Sequence, residues 1–311
     1  LWSLQSREQF SASKGWGDVE AQERFSNCLQ KLMKTRSKRI RPLLDDKVLL
    51  GWNALMNRAF SAAFAATGKE AYRKLAIENM QFMEQAFAQP DGSWHHTYKN
   101  GESKIPAFLD DYAALIQAYI YLQEITGEAD YLNKALQITG WVLDNFLEES
   151  TGFFYYTGKN QTDVVIRKKE VYDGAVPSGN AIMAANLQYL SIIFDQPARR
   201  EQCRMLLQSM ASSITRYPGS FGVWAAVLQN EAWGIQEWAV LGKAAKDSLP
   251  ALLKKFVPNK ILQVTETNLL KFPLLSGKIV PEEEGKLLIY RCKDYQCEKP
   301  ESDLALFLAN V

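Results

Sequence analysis

A chain of 311 residues with 47% hydrophobic and 23% charged residues can bury a sizeable core, which excludes a disordered ground state. A formal net charge of +1 supplies no overall field toward nucleic acid or anionic lipid. Its apolar runs fall far short of the roughly 20 residues that span a bilayer, and no signal-peptide pattern opens it. We therefore expect no nucleic-acid or membrane partner and a cytoplasmic location.

The first helical pattern carries Phe25, Cys28, Leu29, Leu32 and Met33, has no partner helix in the sequence, and places Cys28 among buried thiols with Cys203. The basic run Lys34, Arg36, Lys38, Arg39 and Arg41 suits a solvated helix C-terminus. A repeat follows. Asp45-Asp46, Asp110-Asp111 and Asp173-Gly174 each precede an apolar helical segment, at spacings of 65 (46 to 111) and 62 (111 to 173) residues. In the first unit Val48, Trp52, Leu55, Met56, Ala59, Phe60 and Ala63 keep three-four spacing, Gly68 closes the helix, and Tyr72 to Phe87 return. Tyr112 to Ile120, Gly127 and Tyr131 to Phe146 form the second unit. Ile182 to Phe194, Pro197 and Cys203 to Ile214 form the third. Each return segment leads into a glycine-aromatic stretch able to form short strands: Asp91-Gly92-Ser93-Trp94, Gly152 to Tyr156, and Gly219 to Trp224.

Solenoids of short hairpins repeat at about 34 residues. A period nearly twice that favours a ring of helical hairpins, so the fold class is mainly α: an incomplete (α/α)6 six-hairpin toroid over 1–235. In such a ring the leading helices start at one face, where the acidic pairs converge. Residues 236–311 read as a small α/β tail. An apolar run spans Glu237 to Leu241, helix is expected near Asp247 to Phe256, and strands near Lys260 to Glu266 and Lys286 to Arg291. Helix is also expected over Glu301 to Ala309. Strand-helix-strand order suggests a parallel sheet. Gly242 stands alone, so no phosphate-binding loop and no cofactor are expected.

Three blocks carry a family resemblance: Arg41 to Met56, Phe108-Leu109-Asp110-Asp111-Tyr112-Ala113, and Tyr172 to Asn180. With Pro258-Asn259-Lys260 and Cys292 to Cys297, they resemble the large thioredoxin-domain-containing proteins that include the spermatogenesis-associated thioredoxin-like protein. The resemblance implies a toroid akin to glycosidases and to N-acylglucosamine 2-epimerase. It also implies a thioredoxin-like domain as partner within a longer protein.

Glycoside hydrolysis needs two carboxyl groups about 5 to 9.5 Å apart, one protonated and one ionised. Asp46, Asp111 and Asp173 are the catalytic candidates, although each pair is also expected to lend one Asp as a helix cap. A helix N-terminus favours the ionised carboxylate, which leaves Glu170 as the candidate acid. Asp45, Trp52, Asn53, Asp110, Tyr112, Ser178 and Asn180 are the expected sugar-binding residues, because sugar C–H faces stack on aromatic rings and sugar hydroxyls suit Asp and Asn. Trp94 and Trp224 are expected to pack. His95 and His96 follow an outer helix, so no inner helix offers the histidines of epimerase chemistry, and two adjacent histidines make no metal site. Cys292-x4-Cys297 is open between a disulfide, half a metal site and free thiols. The function expected is a carbohydrate-binding or carbohydrate-processing toroid, the alternative a non-catalytic ligand-binding scaffold beside a thioredoxin-like domain.

Overall fold

A computed structural model describes residues 3–267 and 272–311. The chain divides into two compact units, Leu1–Asp46 and Lys47–Val311.

In the first unit, Ser6 and Gln9 form a capping box that opens α1 (Arg7–Ser13), and a turn leads to α2 (Asp18–Arg36). Phe10, Trp16 and Phe25 cluster with ring centroids 5.9–6.4 Å apart, so the helix expected to lack a partner packs on α1. The seven-residue α1 is too short to cover the rest of α2. Leu29, Leu32 and Met33 stay exposed, and so does Cys28, contrary to the buried thiol expected there. Asp45 and Asp46 are exposed and lie outside any helix or strand.

The second unit begins with β1 (Val48–Leu49) and α3 (Leu50–Thr67), whose N-cap is Leu49. Asp45 and Asp46 therefore do not cap α3, because a paired strand intervenes. Then come α4 (Glu70–Phe87), β2 (His95–Lys99), β3 (Glu102–Pro106), α5 (Leu109–Thr126) and α6 (Asp130–Phe146). After a long connection follow α7 (Gly179–Ile193), α8 (Pro197–Arg216) and α9 (Gly222–Trp233). Gly68 and Gly127 end α3 and α5 at φ of 68° and 72°, a left-handed cap that glycine adopts without a Cβ clash, and Pro197 opens α8. The leading helices α3, α5, α7 and α9 lie side by side in that order, and α4, α6 and α8 each return against their own leading helix. This is the mainly α arc of an incomplete (α/α)6 toroid.

The second strand-forming stretch reduces to one bridge, Leu147 to Phe154, and the third is not a strand. Residues 218–220 make a single 3-10 turn and α9 follows directly. Asp173 holds the Val223 amide at the start of α9, and the fully buried Trp224 indole donates to Val171 O, which fixes a helix there.

The C-terminal residues form β4 (Gln236–Leu241), α10 (Leu249–Lys254), β5 (Lys260–Thr265), β6 (Leu288–Lys293), β7 (Gln296–Cys297) and α11 (Leu304–Ala309). In the order β5-β4-β6-β7, β4 and β5 are parallel across the α10 crossover, whereas β6 runs antiparallel to β4. The sheet is thus mixed, not parallel as strand-helix-strand order suggested. It packs into the arc, with α10 against α3 and α5, and β5 against α5. A disulfide joins Cys292 to Cys297 across β6 and β7, and Tyr295 in the intervening turn donates its hydroxyl to Ile192 O near the end of α7. Burial pushes the remaining buried thiol, Cys203, up to about 12.

Helix α5 is the centre of the unit. From Asp111 to Ile125 only Gln117, Tyr121 and Glu124 escape burial. Its start meets the start of α7 so closely that a Cβ on Gly179 would stand 2.4 Å from Asp110 Oδ1 and 2.9 Å from Leu109 Cγ. Gly179→Ala should therefore destabilise by about 1–3 kcal/mol through overpacking, read as a lower urea midpoint at unchanged slope. An unaltered midpoint would show that the two helix starts have slack.

Candidate functional site

The leading ends of α3, α5 and α7 enclose a small cavity of about 110 Å³ lined by Trp52, His96, Asp110, Asp111, Tyr156 and Pro177 among others. Most of the polar residues expected to face a ligand here instead hold the backbone together.

Asp111, the third residue of α5, is almost fully buried. Its Oδ1 accepts from the Gly51 amide of α3 at 2.8 Å, and its Oδ2 accepts from the Phe108 amide at 2.9 Å. The His96 ring, carried in by β2, approaches Oδ2 through Nδ1 at 2.7 Å. One carboxylate thus caps its own helix and the neighbouring one, and the hydrogen bond raises the pKa of His96. A Cβ on Gly51 would lie 2.8 Å from Asp111 Oδ1, so this bond needs glycine there.

Asp173 does similar work further round the arc. Its Oδ1 accepts from the Ser178 amide at 3.0 Å and hydroxyl at 3.2 Å, and its Oδ2 from the Val223 amide at 2.9 Å. Ser178 itself caps α7 by accepting from the Ala181 amide. Asn180 exchanges hydrogen bonds with both backbone groups of Phe154 and donates to Glu170 O. Asn53 donates to Leu49 O and accepts from Asn79. Tyr112 is turned into the core, where its hydroxyl accepts from the Trp94 amide and burial pushes it up to about 12. Trp94 and Trp224 are buried, as expected of packing residues.

What remains for a ligand is a smaller set. Asp110 is mostly buried, and its Oδ1 has no hydrogen-bond partner among the described residues. Burial first, and then the Asp111 charge, push its carboxyl up to about 6, against the pull of the nearby Gly179 amide. The shift runs opposite to the lowering expected of an Asp at a helix start: Asp111 has taken the capping role, so burial and repulsion decide for Asp110. Glu170 is exposed and adds its own upward push on Asp110. Tyr156 stacks on Phe108 with centroids 5.0 Å apart, and His96 meets Phe108 edge-on at 4.9 Å. Trp52 is 70% exposed although it lines the cavity, which is unusual for a large apolar ring with core available nearby.

The sequence disfavoured epimerase chemistry because His96 lies on no inner helix, and pairing of β2 with β1 brings it beside Asp111. A histidine in a strand adjoining a leading helix was the only available signal. Asp45 and Asp46 belong to the other compact unit.

No family model matches the chain. It is similar to spermatogenesis-associated protein 20 of Rattus norvegicus, 26% identical over 307 residues, covering 92% of this chain and 38% of that protein. The similarity to the Homo sapiens protein of that name is 26% over 316 residues, covering 95% and 40%. The chain thus spans about two fifths of the length of these relatives. Among solved structures it is similar to a GH76 alpha-mannanase from Bacteroides thetaiotaomicron (TM-score 0.43, 17% identity, 55% of this chain and 47% of that one). It is also similar to a D-mannose isomerase (TM-score 0.44, 16% identity, 53% and 40%). No described helix is long and apolar enough to cross a membrane.

Two outcomes test these roles. Asp111→Ala leaves two buried amides and the His96 ring without their acceptor, at about 1–3 kcal/mol for each unpaired group, so a loss above about 3 kcal/mol is expected, with Asp111→Asn costing less. A purely catalytic Asp111 would leave the melting transition where it is. Asp110 carries a raised pKa, so the folded state binds more protons than the unfolded state between the ordinary aspartate value and about 6, and stability falls as pH rises through that window. Asp110→Asn, which mimics the neutral acid, should be near neutral at pH 4. Above pH 7 it should stabilise on the order of 2 kcal/mol, allowing for partial solvent access. Denaturation of both proteins across that range would show an equal offset at every pH if the carboxyl were unstrained.

Proposed function

We propose that the cavity at the leading ends of α3, α5 and α7 is a carbohydrate-processing site in which Asp110 is the acid. The observation that carries this reading is the Asp110 carboxyl beside the cavity, raised to about 6 and with one oxygen lacking a hydrogen-bond partner among the described residues, while Asp111 at the same helix start is consumed as a cap. A group titrating near 6 keeps a protonated fraction at neutral pH, which a general acid needs. Glu170, exposed and near enough to push the Asp110 carboxyl up, supplies the second carboxylate that hydrolysis requires. Trp52 offers an exposed ring on which the C–H face of a sugar stacks, and Tyr156 a hydroxyl and ring at the cavity wall. Asp111 orients the His96 imidazole, whose Nε2 is then its remaining polar atom toward a ligand. Asp111 and Asp173 act here as positioning residues.

A second reading has its own support. The engagement of Asp111, Asp173, Ser178 and Asn180 in backbone hydrogen bonds, and the small volume of the cavity, also suit a non-catalytic module that binds a ligand for a thioredoxin-like domain of a longer protein.

The separating experiment is a screen of aryl glycosides and reducing sugars with the wild type, Asp110→Asn and Glu170→Gln. The catalytic reading expects turnover by the wild type, a loss of at least 100-fold in kcat for Asp110→Asn with sugar binding retained, and a smaller loss for Glu170→Gln. Sugar binding without turnover by any of the three establishes the module. Absence of both binding and turnover removes carbohydrate from this cavity altogether.

A further inference from the structure

The cavity at the leading ends of α3, α5 and α7 is too small to bury a free sugar by itself. Its volume of about 110 Å³ falls below the roughly 300–1,000 Å³ in which small-molecule sites enclose a ligand. A sugar held there gains most of its contact area from surfaces outside the cavity.

On the α3 side stands Trp52, which lines the cavity and is still 70% exposed. On the other side, residues 170–174 alternate between exposed and half-buried. Val171 and Asp173 face inward. The first packs on the core and its carbonyl accepts from the Trp224 indole, while the second holds the Ser178 and Val223 amides. Glu170 and Tyr172, on either side of Val171, therefore both face solvent. Glu170 is near enough to push the Asp110 carboxyl up, and Tyr172 follows it by two residues, at most about 7 Å of chain.

The Tyr172 ring is held in place. Phe221, just before α9, meets it edge-on at a centroid distance of 5.9 Å, and its hydroxyl accepts from the Ser220 hydroxyl at 3.5 Å. A Cβ on Gly174 would stand 3.8 Å from the ring, so a larger residue there would cover it from that side. The ring stays 58% exposed, and a side chain ordered beforehand loses little entropy on binding. The same turn reaches the cavity wall, since Gly174 donates to Val176 O at 3.1 Å and Val176 lines the cavity. Leading helices α3, α5, α7 and α9 lie side by side in that order, so Trp52 and Tyr172 stand at the α3 and α9 ends of a line with Asp110 and Glu170 between them. Packed helices are about 8–10 Å apart, which makes that line longer than one sugar ring.

We propose that this face binds an oligosaccharide as an extended chain, with one sugar on Trp52, one over Asp110 and Glu170, and one on Tyr172. The site then takes an internal stretch of glycan and discriminates against free monosaccharides. This rests on the carbohydrate reading of the cavity and holds for a processing enzyme and for a binding module alike. Tyr172 acts through the face of its ring, on which a sugar's C–H groups stack, and not through its hydroxyl.

Calorimetric titration of the intact chain with cello-, manno- and chito-oligosaccharides, each from monosaccharide to pentasaccharide, tests this. In at least one series affinity should rise 100-fold or more with length. Tyr172→Ala should lower the pentasaccharide affinity at least 10-fold and flatten the rise, whereas Tyr172→Phe should retain it. Gly174→Val, which keeps Tyr172 but covers its ring from one side, should also weaken the pentasaccharide. Melting curves establish that each variant is folded before its titration is read. Equal affinity for monosaccharide and pentasaccharide, or a length dependence indifferent to Tyr172→Ala, overturns the proposal and leaves the carbohydrate reading in place. No binding at any length removes both.

Discussion

The carboxylate of Asp111 joins three elements that no continuous backbone pairing could join. Helices begin with amides that have no partner within the helix, and where several helices start at one buried face those amides have no water either. At the start of α5, one side chain accepts from its own helix start, from that of α3, and from a histidine on β2. The register of the first two hairpins follows from this point: moving either helix by one residue would strand a buried donor. Asp173 repeats the device between Ser178 at the start of α7 and Val223 at the start of α9. Asp111 and Asp173 are therefore first a solution to helix starts crowded together.

That solution also creates the candidate chemistry. With Asp111 occupied, its neighbour Asp110 sits buried at the helix start, where the Gly179 amide is outweighed by burial and by the second carboxylate beside it. The close contact with α7, possible because residue 179 is glycine, removes solvent from the same oxygen. Structural economy at one aspartate and electrostatic strain at the next are two sides of one arrangement. Adjacent identical residues end in different surroundings because Asp111 alone bridges the starts of α3 and α5.

The hairpins were legible because three-four periodicity and the punctuation at Gly68, Gly127 and Pro197 are local signals. The mainly α class and the small sheet subdomain followed from the same signals. Long-range partners were not legible. Gly51 is 60 residues from Asp111 and Val223 is 50 from Asp173, and nothing in either local pattern names the other. The strand sense of β6 escaped for a related reason, since strand order along the chain does not by itself fix direction. Helix α9 was hidden because its first turn contains glycine and aromatic residues suited to a strand, and a tertiary cap from Asp173 overrides that preference. Asp110 was read as an ordinary hydrogen-bond acceptor because its burial depends on a helix about 70 residues downstream.

The enclosure of α5 bears on how the second unit opens. This helix touches α3, α4, α6, α7, α10 and β5, so its backbone cannot reach water by the local fraying available to an edge helix. Amide protons in its middle turns can exchange with solvent only when the arc and the sheet subdomain come apart together. Those of α8, which bears exposed residues such as Met205, are free to exchange through smaller openings. The slowest-exchanging amides of the second unit are therefore expected in the buried middle of this helix. A ligand that tightened the cavity at its leading end would register there, through the rate at which its hydrogens are replaced by deuterium.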